Sequence, residues 1–178
     1  MGAKLTTGDN DLLTRLPDLA REAFGWDPSM VCYGSRKVLP WKGVCGHVWE
    51  AEVHSRSSKG HGCPYCSGKK ILLGFNDLVT IAPQLAKEAY DWNPQDFTGG
   101  SKVNVLWKGK CGHIWNAQIK NRYAGGTGCP YCAGQAVLPG FNDLATIAPN
   151  VAQYAHNWNP STITAYSGVY RPWKCHCG

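Results

Sequence analysis

The 178-residue sequence contains no long apolar run, and no apolar stretch follows basic residues near its N-terminus. We therefore expect neither a membrane span nor a secretory signal, and we expect a cytoplasmic protein, associated with the nucleoid if the cell is bacterial. No cluster of Asp, Glu and His recurs along the chain, so we expect no enzyme and no small-molecule substrate. In a reducing compartment the nine cysteines favour metal binding over disulfides.

Cysteine and histidine occur in two clusters with the same spacing. The string W-K-G-V-C-G-H-V-W is followed by G-C-P-Y-C, and the same pattern returns 66 residues later with K and I in place of the two valines. Three thiolates and one imidazole form a ligand set that suits tetrahedral zinc. We therefore predict two Zn²⁺ ions per chain, the first held by Cys45, His47, Cys63 and Cys66, and the second by Cys111, His113, Cys129 and Cys132.

The 66-residue period also holds outside these clusters. Asn-Asp-Leu and Trp-Asp/Asn-Pro each occur three times at this distance. The period predicts one zinc-finger repeat over residues 9–74, a second over 75–140 and a partial third over 141–178, whose zinc knuckle begins with Cys175 and Cys177. Repeats of this size bury too little apolar surface to be stably folded without a metal. Cys32 has no counterpart at the period and is expected to be a small, partly buried side chain.

Each repeat changes from helical to strand periodicity. Asn10 or Asp11 in the first repeat and Asn76 in the second are expected to cap a short helix, and a proline then begins another helix. Apolar and polar residues alternate on both sides of the Cys-Gly-His turn, which predicts a half-buried β-hairpin with two ligands at its tip. Pro64 and Pro130 suit a first helical turn. The tryptophans are expected to form the core: Trp26, Trp41, Trp49, Trp92, Trp107 and Trp115.

The combination N-D-L, W-[DN]-P, W-K, C-G-H-x-W-x-A and G-C-P-Y-C resembles a known family over nearly the whole chain. This is the tandem treble-clef zinc-finger, or probable zinc-ribbon, family of bacteria, phages and large viruses. The resemblance implies small α+β zinc-stabilised repeats, each a short helical pair followed by a treble-clef-like zinc hairpin. The family's usual first knuckle resembles W-K-C-x3-H. Here Gly43 and Gly109 stand at that cysteine position, and Cys45 and Cys111 lie two residues closer to the histidine.

Charge is segregated along the chain, whose net charge is +6. Residues 29–74 and 97–140 each carry +5, whereas residues 1–28 carry −2 and residues 75–96 carry −3. A polyanion should therefore meet the zinc hairpins rather than the helices. We predict a non-enzymatic nucleic-acid-binding protein, with double-stranded DNA as the first choice of partner and RNA as another. A protein-interaction scaffold and a targeting module of a nuclease remain as alternatives, and the sequence does not determine the oligomeric state.

The predicted nucleic-acid contacts are polar residues that recur in the repeats. Arg56 and Arg122 are expected to contact base edges, because a guanidinium group can donate two hydrogen bonds to guanine. Lys42 and Lys108 are expected to bind phosphates. The other predicted contacts are serines that follow a glycine, a lysine one or two residues after each serine, and tyrosines of the Cys-Pro-Tyr-Cys turns: Ser35, Ser101, Lys37, Lys102, Tyr65 and Tyr131.

Overall fold

A computed structural model describes residues 4–175 and residue 177. The chain divides into two compact units, Met1–Asn76 and Asp77–Gly178. The boundaries predicted from the period, after residues 74 and 140, stay predictions. Among the described residues, no helix has the length and apolar character needed to cross a lipid bilayer.

The first unit places a helical pair before a two-stranded hairpin. The helices have four residues each, because Pro17 cannot continue α1 and instead begins α2 at the first helical position. Asp11 caps α1 by accepting the backbone N–H of Thr14. The elements are α1 (Leu12–Arg15), α2 (Pro17–Ala20), a 3-10 turn (Pro28–Met30), β1 (Val38–Lys42), β2 (Val48–Glu52) and α3 (Val53–Ser57).

Strands β1 and β2 are antiparallel, and Trp41 lies directly opposite Trp49. The other edge of β1 is covered by the segment that follows α2. There the N–H of Lys42 donates to the carbonyl oxygen of Glu22, and the N–H of Phe24 donates to that of Pro40. The end of the helical pair is therefore hydrogen-bonded to the hairpin that bears the metal ligands.

Tryptophan forms the centre of each core, as predicted. Trp41 is fully buried and Trp49 nearly so, and Trp26 packs edge-on against Trp41 with ring centroids 5.1 Å apart. The indole N–H of Trp26 donates to the carbonyl oxygen of Pro40. A buried indole removes roughly 200 Å² from water, which stabilises the fold by about 5 kcal/mol. Two such rings therefore supply much of the core of a small unit.

The second unit repeats this arrangement and adds the helical part of a third repeat. Trp107 lies opposite Trp115 in its hairpin, and in the partial repeat Trp158 lies edge-on to Trp173 with ring centroids 5.1 Å apart. The predicted α+β class, with a helical pair before each zinc hairpin, is confirmed. The elements are α4 (Leu78–Ile81), α5 (Pro83–Ala86), a 3-10 turn (Pro94–Asp96), β3 (Asn104–Lys108), β4 (Ile114–Gln118), α6 (Ile119–Tyr123), α7 (Leu144–Ile147), α8 (Pro149–Ala152) and a 3-10 turn (Pro160–Thr162).

Two local predictions are wrong. Asp77, not Asn76, caps α4, because its carboxylate accepts the N–H of Thr80. Asn76 instead accepts the N–H of Leu72. The residues after Pro64 form a hydrogen-bonded turn and no regular helix, since Gly68 follows at φ +68° and so leaves the helical region.

Candidate metal centres and their surroundings

Each hairpin tip and the turn after the next helix bring three cysteines and one histidine together. Cys45 and His47 lie between β1 and β2, on either side of Gly46, whose φ of +81° suits a tight turn that glycine permits. The second pair of cysteines comes from the Cys-Pro-Tyr-Cys turn. In both sets the candidate ligand atoms all lie within 4.8 Å of one another: Cys45, His47, Cys63 and Cys66; Cys111, His113, Cys129 and Cys132.

The distances within these sets suit zinc. Nδ1 of His47 lies 3.5 Å from Sγ of Cys63 and 3.4 Å from Sγ of Cys66. Nδ1 of His113 lies 3.5 Å from the corresponding sulfurs. Zn–S and Zn–N bonds of about 2.3 and 2.0 Å at a tetrahedral angle place nitrogen and sulfur about 3.5 Å apart. The two sets therefore suit two zinc ions, with Nδ1 as the imidazole atom that faces each site.

The thiols of one set differ in acidity. The backbone N–H of His47 hydrogen-bonds to Cys45 and lowers the pKa of this thiol to about 7. Desolvation raises the pKa of Cys66 to about 11, and it likewise raises the pKa of Cys132 to about 11 in the second set. Zinc binds thiolates, so loading must displace protons and must weaken as the pH falls.

A buried tryptophan gives a physical reason for the displaced first ligand. A Cβ atom on Gly43 would lie 2.9 Å from Cη2 of Trp49, and one on Gly109 would lie 2.9 Å from Cη2 of Trp115. Any side chain at these positions, cysteine included, would push against the ring. Glycine lets the ring lie over the hairpin tip, and the thiol ligand stands two residues later.

The sequence G-F-N-D, at 74–77 and 140–143, extends from each metal centre to the helix that follows. The Phe75 ring lies edge-on to the His47 ring at 4.4 Å, and the amide of Asn76 donates to the carbonyl oxygens of Tyr65 and Lys70. Phe141 packs on His113 in the same way at 4.2 Å. These supporting residues were not predicted from the sequence, although the recurrence of Phe-Asn was a signal for them. In the first repeat an aspartate, Asp9, occupies the phenylalanine position.

The structure places Arg56 inside the first unit. Only 7 % of this residue is exposed, and its guanidinium lies 4.8 and 4.9 Å from the ring centroids of Trp41 and Trp49. Nη2 donates to the carboxylate of Glu22 at 2.5 Å. This cation is enclosed by two aromatic faces and paired with an internal anion, so it is not presented to a ligand at the surface.

Arg122 has the same environment in the second unit. It is 9 % exposed, lies 5.0 Å from the centroids of both Trp107 and Trp115 and pairs with Glu88. The burial of Arg56 and Arg122 does not suit the base contacts that we predicted, and we remove both from the proposed interface. The signal that we missed was the recurrence of a glutamate, Glu22 and Glu88, at the same 66-residue period as the arginines. The partial repeat has Tyr154 at this position.

The remaining predicted contacts fall into three groups. Lys37, Lys42, Lys102 and Lys108 are exposed. The hydroxyl oxygens of Ser35 and Ser101 accept backbone N–H groups two residues later, as in an ordinary turn. Tyr65 and Tyr131 are half-buried against the cores and lie edge-on to the histidines of the metal centres.

The comparison with known proteins agrees with this geometry. A family model described as "probable treble clef zinc finger domain" matches residues 21–69 and 81–135. These two ranges cover more than half of the chain, and they include both hairpins. No curated protein sequence matches the chain.

Proposed function

Because the chain belongs to the probable treble clef zinc finger family, we propose that it uses tandem structural zinc modules to bind nucleic acid, with DNA as the ligand. In each module three sulfurs and one imidazole nitrogen hold the metal. Four protein ligands fill a tetrahedral shell and leave no position for a water or a substrate. The modules therefore stabilise the fold and carry no catalysis.

The observation that carries this proposal is an exposed lysine at the same register of both hairpins. Lys42 ends β1 and Lys108 ends β3, each three residues before the first cysteine of a metal centre. Residues 97–140, which contain the second hairpin, carry five basic residues and no acidic residue. Two loaded centres, each with three thiolates and Zn²⁺, would lower the formal charge of the chain only to about +4.

The proposed contact is with phosphate rather than with base edges in a duplex groove. The two arginines that would have contacted those edges are buried, whereas the lysines are exposed to solvent. Lysine binds phosphate as a point charge and gives affinity that depends on salt but little on sequence. We propose Lys42 and Lys108, with Lys37 and Lys102, as the residues that make this contact.

Titration of labelled oligonucleotides at two salt concentrations tests the proposal. We expect the affinity to fall with added salt, and we expect Lys108→Ala to lower the slope of log K against log salt by about one. Lys87→Ala is the matched control, because Lys87 is also exposed but lies at the end of α5 in the acidic helical segment. Affinity that ignores salt, or equal slopes for the two variants, would contradict the proposal and favour the protein-interaction alternative.

A further inference from the structure

Each of the two hairpins has an exposed face that does not include its metal ligands. Side chains alternate across a strand, so Lys42 and its partner Val48 lie on the opposite face from the buried pair Trp41 and Trp49. Phe24, on the segment paired with β1, borders the same face. We call this surface the outer face, and its residues are Phe24, Lys42 and Val48 in the first unit and Tyr90, Lys108 and Ile114 in the second.

Each outer face presents an aromatic ring beside an ammonium group. The Phe24 residue is 45 % exposed and Tyr90 is 39 % exposed. Nζ of Lys42 lies 6.0 Å from the Phe24 centroid, and Nζ of Lys108 lies 5.9 Å from the Tyr90 centroid. These rings retain an open surface although their own unit has a complete tryptophan core.

The backbone frame that holds this pair occurs a third time. The N–H of His156 donates to the carbonyl oxygen of Pro172, and the N–H of Lys174 donates to that of Tyr154. His156 thus stands at the ring position and Lys174 at the lysine position. Phe24, Tyr90 and His156 each have a flat aromatic ring, but their hydrogen-bonding groups differ. The property common to the three sites is therefore a flat ring residue on a backbone frame that also holds a lysine.

The acidic charge on the outer face is not repeated. Glu50 and Glu52, opposite Pro40 and Val38, lie on this face of the first hairpin, whereas Asn116 and Gln118 take the equivalent places in the second. A flat ring can stack on a base, and the neighbouring ammonium can pair with the adjoining phosphate. Bases within a duplex are covered by their neighbours, so a ring on a hairpin surface can reach only an unpaired base.

We propose that the outer face binds single-stranded nucleic acid, with a base stacked on Phe24 or Tyr90 and a phosphate paired with Lys42 or Lys108. This inference rests on the proposed function, because it requires phosphate binding at the same lysines. It identifies the ligand as an unpaired strand rather than a duplex. It also adds two residues that the zinc centres and the sequence prediction leave without a role.

The test compares two labelled strands of equal length, an oligothymidylate and an abasic strand with the same number of phosphates. The zinc-loaded full chain should bind oligothymidylate about tenfold or more tighter than the abasic strand, as expected for base stacking on exposed rings. Phe24→Leu with Tyr90→Leu should bring this ratio close to one while abasic binding keeps its salt dependence. Tyr166→Leu removes a 95 % exposed ring outside the outer face and should leave the ratio unchanged.

Each contrary outcome has its own meaning. Equal, salt-dependent affinity of the wild type for both strands overturns the stacking but leaves the proposed function intact, and the apolar atoms of the outer face then fit a protein partner better. A double variant that retains two zinc ions but loses abasic binding also overturns the stacking, because that loss is not base-dependent. Binding of neither strand by the wild type overturns the proposed function itself.

Discussion

The pair formed by Glu88 and Arg122 gives a sharp test of what the arginine does. Glu88→Gln keeps the shape of the side chain but removes its charge, and it leaves the Arg122 guanidinium between two tryptophans without a counter-ion. The Arg122 side chain is 7 % exposed, so water cannot replace the lost carboxylate. Loss of one partner of a buried ion pair costs about 3 kcal/mol or more, and we expect about 3 kcal/mol here.

The reciprocal change should cost less. Arg122→Met removes the cation and leaves Glu88, whose side chain is 24 % exposed and can turn toward water. The variant loses two cation–π contacts, each worth about 2 kcal/mol where the cation is desolvated, and the hydrogen bond to the carbonyl oxygen of Thr127. It also no longer buries a guanidinium, which removes a desolvation cost of several kcal/mol, so we expect a net loss of about 1–2 kcal/mol. The double variant should be close to Arg122→Met alone, because no buried charge remains in it. The asymmetry follows from the different exposure of the two partners.

Hydrogen exchange on the zinc-saturated chain measures these effects within the unit concerned. Peptides of the second unit should lose more protection in Glu88→Gln than in Arg122→Met. Peptides around the unchanged pair of Glu22 and Arg56 serve as an internal reference. Full protection in both variants, or a larger loss in Arg122→Met than in Glu88→Gln, would contradict the stabilising role of this ion pair. Full protection would also return Arg122 to the candidates for a nucleic-acid contact.

Two further variants test the supports of the second metal centre. Asn142→Ala removes hydrogen bonds to the carbonyl oxygens of Tyr131 and Ala136, so a chelator should extract zinc from that centre faster, in line with a loss of about 1–3 kcal/mol. The control is Asn10→Ala, because the side chain of Asn10 bonds Thr6 and Lys4; this variant should leave extraction from both centres unchanged, and equal effects of the two variants would contradict the role of Asn142. Gly109→Ala should destabilise the hairpin by about 1–3 kcal/mol in thermal melts through its contact with Trp115, whereas Gly100→Ala, with no atom within 4 Å of the added Cβ, should be neutral.

The parts of the fold that depend on spacing could be predicted from the sequence. The constant period aligned the metal ligands of both units, and the alternation of apolar residues gave the hairpins and their buried tryptophans. Zinc ligands must all lie within bonding distance of one ion, so their spacing is restricted and can be recognised in a sequence. The strand pairing follows because a shift by one residue would expose both tryptophans.

The burial of Arg56 and the hydrogen-bond partners of Asn76 could not be predicted in the same way. Arg56 recurs, is basic and precedes a glycine-rich loop, as a surface contact would. Its burial depends on Glu22, which lies 34 residues earlier, and on two ring faces that meet only in the folded hairpin. Asn76 likewise belongs to a residue type that caps helices, yet its amide is used by the preceding zinc turn. The partner of Arg56 is distant in sequence, and the carbonyl oxygens that Asn76 contacts, those of Tyr65 and Lys70, converge on it only once the zinc turn has folded, so a local sequence pattern does not identify either set of contacts.

Each of the two complete repeats is built around a four-ligand zinc centre, and native mass spectrometry of protein purified without chelator tests this most directly. We expect two zinc ions per chain. Cys63→Ser with Cys66→Ser should hold one ion, since it removes two ligands from the first centre only, and a chelator should unfold both hairpins of the wild type. A wild-type chain that holds fewer than two tightly bound zinc ions, or a hairpin that stays folded without metal, would contradict the account.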